Sequence, residues 1–151
     1  MTAGKYFTLA EFEVSEWAAR RGLSFSVPAW LRGNVVALVA QVLDPLRADL
    51  GRPVVVLSGY RPPWLNKAVG GSLRSEHMEA RAADIVVPGV PPLEVCRRVV
   101  ALGLPFNQLI LEFGSWCHVS VPAVGARARG EVKTAVKVGG RTVYRPGLVG
   151  V

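Results

Sequence analysis

The chain has two histidines, His77 in the stretch SEHMEARAAD and His118 in WCHVS, and Asp84 closes the first of these stretches. Two imidazoles and one carboxylate make a donor set for a catalytic zinc, with a fourth position left for water. Nitrogen ligands beside a single oxygen suit Zn2+ better than Mg2+ or Ca2+, which take all-oxygen shells. The spacing restricts how the set can assemble. His77 and Asp84 are too far apart to share one helical face as in HExxH. They converge only if His77 sits in a loop and Asp84 near the start of a strand, and Ala80, Ala82 and Ala83 put no bulk in the way. On residue chemistry alone a second reading stands beside the metal: a hydrogen-bonded histidine and a salt-bridged aspartate.

The elements that would carry these residues follow from patterning. Thr8 and Glu11 have capping-box spacing, and Leu9, Phe12 and Trp17 predict a short amphipathic helix that stops near Gly22. Pro28 opens a second helical pattern through Val35, Leu38, Val39, Val42, Leu46 and Leu50 to Gly51, with Pro45 expected to kink or split it. PVVVLS (53–58) reads as a short buried strand and the following GYRPPWLNKAVGGSLRSEH as a long, functional loop. AADIVVP (82–88) is a second strand, and PPLEVCRRVVALG (91–103) a helix opened by proline and closed by glycine. QLILEF (108–113) and CHVSVP (117–122) are paired strands around a tight turn. Helices first and strands afterwards, with one helix among them, define an α+β class: a small antiparallel sheet with the N-terminal helices packed on one face. Residues 1–122 carry the chemistry. Residues 123–151 form a basic extension in which Gly139-Gly140 signals a β-hairpin packed on the same domain.

Composition excludes several classes. Half of the 151 residues are apolar and 19% are charged, a balance that supports one packed domain and argues against disorder. No apolar run reaches the roughly 20 residues of a membrane helix. MTAGKYFTLAEF lacks the basic-then-apolar layout of a secretory signal, which predicts cytoplasmic synthesis. Cys96 and Cys117 are read as reduced, partly buried thiols. The net charge of +7 implies attraction to polyanions, either nucleic acid or an anionic cell wall. Apart from ARARGEVKTAVK the basic residues are scattered, so no nucleic-acid partner is expected.

Ser75, His77, Ala82 and Asp84, followed by Trp116 and His118, match the pattern S-x-H-x-x-G-x-A-x-D…W-x-H at every position except Ala80. Upstream, SGYRPPWLN matches S-G-Y-R-x-x-x-x-N. Over residues 5–122 the chain thus resembles the zinc D-alanyl-D-alanine carboxypeptidases, peptidoglycan peptidases that share a fold with the hedgehog signalling domain. FTLAEF and VLDPLR look like their compact phage and bacterial branch. The resemblance implies zinc on His77, Asp84 and His118. It implies that Arg61 meets an oxyanion or a substrate carboxylate and that Ser75 hydrogen-bonds substrate.

Where some members of that family carry a general base three residues before the last histidine, this chain has Ser115, which cannot serve. Glu112 is the nearest carboxylate. A three-residue turn at Phe113, Gly114 and Ser115 puts Glu112 and His118 on one face, whereas a two-residue turn puts them on opposite faces. The longer turn is the expected one. The resulting expectation is a zinc peptidase that cuts peptidoglycan stem peptides beside a D-amino acid. It would be a phage or prophage product, a lysis enzyme or a virion component among other virion proteins, acting at the cell wall after release. A structural virion protein that keeps the fold without activity is the alternative, favoured by Ala80 and Ser115.

Overall fold

The computed structural model describes residues 1–150. At the N-terminus the Thr8 amide donates to the Glu11 carboxylate at 2.8 Å. The helix expected from Leu9 to near Gly22 divides in two: a 3-10 turn, Leu9–Phe12, and α1, Glu16–Ala19. Ser15 is the reason, because it is extended (φ −156°) and its hydroxyl accepts the Ala18 amide at 3.2 Å, starting a fresh N-terminus.

The second helical pattern is not broken at Pro45. It runs as α2 (Arg32–Leu38), a π segment (Val39–Leu43) and α3 (Asp44–Leu50). Pro45 has no amide to give to the carbonyl four residues back, and the wider turn immediately ahead accommodates that missing bond without a break. Gly51, left-handed at φ 63°, ends α3 and donates to the Arg47 carbonyl at 3.0 Å.

The sheet has six strands in the order β1 (Val55–Ser58), β2 (Ala82–Val86), β4 (Trp116–Ser120), β3 (Gln108–Glu112), β5 (Glu131–Val138) and β6 (Arg141–Pro146). All pairings are antiparallel except β3 with β5. Two expectations are corrected here. β1 is an edge strand with Val55 and Leu57 41% and 44% exposed, so PVVVLS is not a buried strand. The long loop after it holds a helix, α4 (Pro63–Ala68), set by Pro63 in its first turn. Asn66 then ties the chain beyond α4 by donating to the Ser72 carbonyl at 2.9 Å. α5 spans Pro92–Ala101. The C-terminal hairpin turns at Gly139 and Gly140, both with positive φ (56° and 78°), as a two-residue turn requires. It extends the same sheet through β5.

Strand alternation gives the sheet two unlike faces. Ala83, Ile85, Leu109, Leu111, Cys117 and Val119 point to the helical side and are fully buried. They meet Val35, Leu38, Val42 and Leu46 of the N-terminal helices, and Val95, Cys96 and Val99 of α5. Both cysteines are buried and unpaired. The opposite face carries Asp84, Glu112, Trp116 and His118, which line a cleft. Among the described residues no helix is long and apolar enough to cross a membrane.

The helix-packed face holds the sheet in place, so a cavity there should be costly everywhere. Leu109→Ala, at a fully buried central position, is expected to lower unfolding free energy by about 2–5 kcal/mol. Chemical denaturation should register this as a lower midpoint with an unchanged slope.

Candidate metal centre and cleft

His77 lies in the 3-10 turn Glu76–Glu79, directly after the Ser75 cap whose hydroxyl accepts the His77 amide at 3.2 Å. Asp84 and His118 are register partners on β2 and β4. The three side chains meet as the spacing demanded, histidine from a turn and aspartate from a strand. Their donor atoms lie within 4.8 Å of one another. Asp84 Oδ1 stands 3.3 Å from His77 Nε2 and 3.0 Å from His118 Nδ1. A tetrahedral zinc with bonds of about 2.0–2.1 Å separates its ligand atoms by roughly 3.3 Å. The two Asp84 separations match those within one zinc shell.

Proton accounting decides between an ion and a simple pair. A backbone carbonyl only accepts, so the 2.7 Å contact between His77 Nδ1 and the Gly59 carbonyl places a proton on Nδ1. In neutral His77 the Nε2 lone pair then faces the Asp84 carboxylate. Two lone pairs at that distance repel unless Nε2 is protonated or a cation lies between them. Protonation is disfavoured: burial holds His77 below the ordinary imidazole range, outweighing the Asp84 charge. Asp84, hydrogen-bonded to His118 Nδ1 at 3.0 Å, lies below the usual carboxylate range despite its burial. The arrangement therefore fits a bound cation.

A buried network that sequence reasoning missed carries both histidines. The Glu76 carboxylate accepts from the Ser120 hydroxyl at 2.7 Å, Asn107 Nδ2 at 2.9 Å and Arg81 Nη1 at 2.8 Å. Arg81 Nη1 also donates to the Val121 carbonyl at 2.8 Å. The turn holding His77 is thus fastened to the end of the strand holding His118. Nothing in the spacing of Glu76 or Asn107 marks them; the only sequence signal is that Glu76 adjoins His77.

The other residues singled out from the sequence divide clearly. Arg61 and Ser75 line the cleft, with Arg61 Nη2 donating to Ser75 Oγ at 3.1 Å. Glu112 pairs with Trp116 and Ile110 with His118, so the turn has three residues and Glu112 shares the His118 face. Phe113 and Gly114 make that turn with φ of 56° and 65°. Ser115 is exposed in the turn, its hydroxyl donating to the Phe113 carbonyl at 3.3 Å. Burial raises Glu112, with Asp84 adding to the effect, against the opposing pull of His118 and Arg61. Ala80 is buried at φ 56°, a left-handed position that glycine would occupy freely. The strain of about 1 kcal/mol there is offset by burying a methyl group worth about 0.8 kcal/mol.

A family model described as Peptidase M15 matches residues 5–120. The chain belongs to this family, that of the zinc D-Ala-D-Ala carboxypeptidases. Membership makes it a metallopeptidase of a zinc-dependent, peptidoglycan-directed group. Comparison with curated proteins gives no match. The matched segment of this M15 member ends with β4, so the hairpin β5–β6 lies outside it.

Two measurements test the centre. A Cβ on Gly59 would lie 2.7 Å from Phe12 Cα and 2.8 Å from its carbonyl oxygen, so Gly59→Ala must push apart backbone that Tyr60 and Phe12 hydrogen-bond together. The expected result is a loss of about 1–3 kcal/mol in stability. Displacing the acceptor of His77 should also weaken zinc about 10–100-fold in a competitive chelator titration. The second test is pH. Burial pushes His118 down, but the Asp84 hydrogen bond and charge, with Glu112 and Glu76, lift it above the ordinary imidazole value. Binding needs the neutral ring, so zinc affinity should begin to fall above about pH 6.5 as acid is added. Equilibrium dialysis across that range checks it.

Proposed function

We propose that this protein hydrolyses a peptide bond next to a D-amino acid in peptidoglycan stem peptides, using zinc held by His77, Asp84 and His118. One observation carries the reading: the Asp84 carboxylate and the His77 and His118 imidazoles converge, at 3.3 and 3.0 Å, in a cleft that also holds Glu112 and Arg61. Bound there, zinc supplies Lewis-acid polarisation of the scissile carbonyl and lowers the pKa of water.

The remaining chemistry falls to the chain's own side chains. Glu112, on the same face as His118 and raised by burial, takes a proton from the attacking water and delivers it to the leaving amine. Arg61 meets the negative charge that develops on the carbonyl oxygen, or a substrate carboxylate. Its Nη2 donates to Ser75 Oγ, and the planar fork at the cleft suits a carboxylate or an oxyanion. Ser75 Oγ accepts from both the His77 amide and Arg61, which leaves its own hydroxyl proton to give to substrate. The likeness of FTLAEF and VLDPLR to compact phage and bacterial enzymes supports a phage or prophage lysis enzyme or virion component. A structural virion protein without turnover is the second reading, and the left-handed Ala80 beside the ligand turn favours it.

The purified protein is expected to hold about one zinc per chain, lost in His77→Ala and His118→Ala. Glu112→Gln should keep the zinc and lose about 10²–10⁴-fold in turnover of a stem pentapeptide ending in D-Ala-D-Ala. Zinc without turnover in the parent supports the structural reading. No zinc after reconstitution sinks the peptidase.

A further inference from the structure

The C-terminal hairpin, outside the family match, is one wall of the cleft: Lys133, Lys137, Thr142 and Tyr144 all line it. Register explains why. Lys133 pairs with Ile110 and Ala135 with Glu112 across the parallel β3–β5 ladder, which puts Lys133 and Lys137 on the same face as His118 and Glu112. Tyr144 and Thr142 follow as partners of Ala135 and Lys137.

The wall is charged with one sign. Six cationic side chains line the cleft against three carboxylates, and those carboxylates are committed elsewhere. Asp84 belongs to the metal set, Glu76 is held by Arg81, and Glu112 faces the reacting centre. On the hairpin, Lys133 reaches Glu131 at 3.5 Å and lies 5.6 Å from the Tyr144 ring centroid. Lys137 has no carboxylate partner among the described residues. Thr142 Oγ1 at 2.9 Å and the Phe113 ring, 5.2 Å from Nζ, hold its ammonium at the cleft instead. Lys137 is held by neutral groups at space that substrate would fill, Lys133 shares its charge with Glu131, and Arg61 lines the same cleft.

We propose that Lys137 and Lys133 bind a second carboxylate on the substrate, apart from any carboxylate that Arg61 takes. The hairpin then selects stem peptides whose glutamate keeps a free carboxylate over their amidated counterparts. This rests on the peptidase reading for the kind of ligand, and a stem peptide offers that choice as glutamate or its carboxamide. Because both lysines are partly solvated, the preference is modest and falls with salt.

The test uses two synthetic stem pentapeptides that differ only in a D-glutamate α-carboxylate or carboxamide. Their binding is measured by calorimetry on the zinc-loaded Glu112→Gln protein, which should turn over only slowly, and their cleavage is followed with the parent. The acid should bind about five-fold tighter at low ionic strength. The ratio should collapse toward one when Lys137→Met and Lys133→Met are added. A ratio near one before those changes, or one that they leave intact, overturns the inference, and the peptidase reading survives if the parent still cuts both peptides. A five-fold ratio that the lysine changes abolish, with no cleavage by the parent, upholds the subsite and overturns the peptidase. No binding of either peptide overturns the subsite.

Discussion

The hydrogen bond from His77 Nδ1 to the Gly59 carbonyl is the constraint on which the site depends. It selects one tautomer, turns Nε2 toward Asp84, and ties the ligand turn to the end of the edge strand β1. Gly59 can serve because it lies against Phe12 too closely for any side chain. A packing requirement at the N-terminus thereby becomes an electronic requirement on His77. Burial adds to it by keeping His77 deprotonated, which leaves the carboxylate opposite a lone pair.

Around this bond the fold separates two tasks. The helical face of the sheet supplies apolar burial through Leu109, Leu111 and Val119, and it leaves the other face free for charged groups. Those groups are costly to bury unless paired. The Glu76–Arg81–Asn107–Ser120 network meets that condition with three donors on one carboxylate, and it joins the two histidine-bearing segments. The ligands are rigid because their supports are.

Much of this was legible in the sequence. With only two histidines, residue types named His77, Asp84 and His118 as a candidate set beside the simple-pair reading, and the family resemblance made them the expected ligands. The Phe113–Ser115 turn followed from the need to bring Glu112 to the His118 face, and Gly114 is there to allow it. The strands of the centre were readable because period-two patterning is local. Four features were not. α4 was hidden because proline reads as a loop former, although at a first turn it starts a helix. The π segment depends on how a missing amide is accommodated, which spacing does not record. Glu76, Asn107 and Ser120 are distant in sequence and meet only through the sheet. β1 looked buried because apolar content was read without knowing that it would be last in the strand order.

The same order makes β6 the other edge of the sheet. Its residues are exposed throughout, and they include Arg141, Arg145 and Pro146. An open edge invites pairing with the backbone of another molecule, and charge and proline both discourage that. Like-charged arginines repel a second copy approaching in register, and Pro146 removes one amide from the edge. The positive charge of the tail therefore also bears on colloidal behaviour, because it keeps a half-exposed ribbon from seeding intermolecular sheet as the protein becomes concentrated.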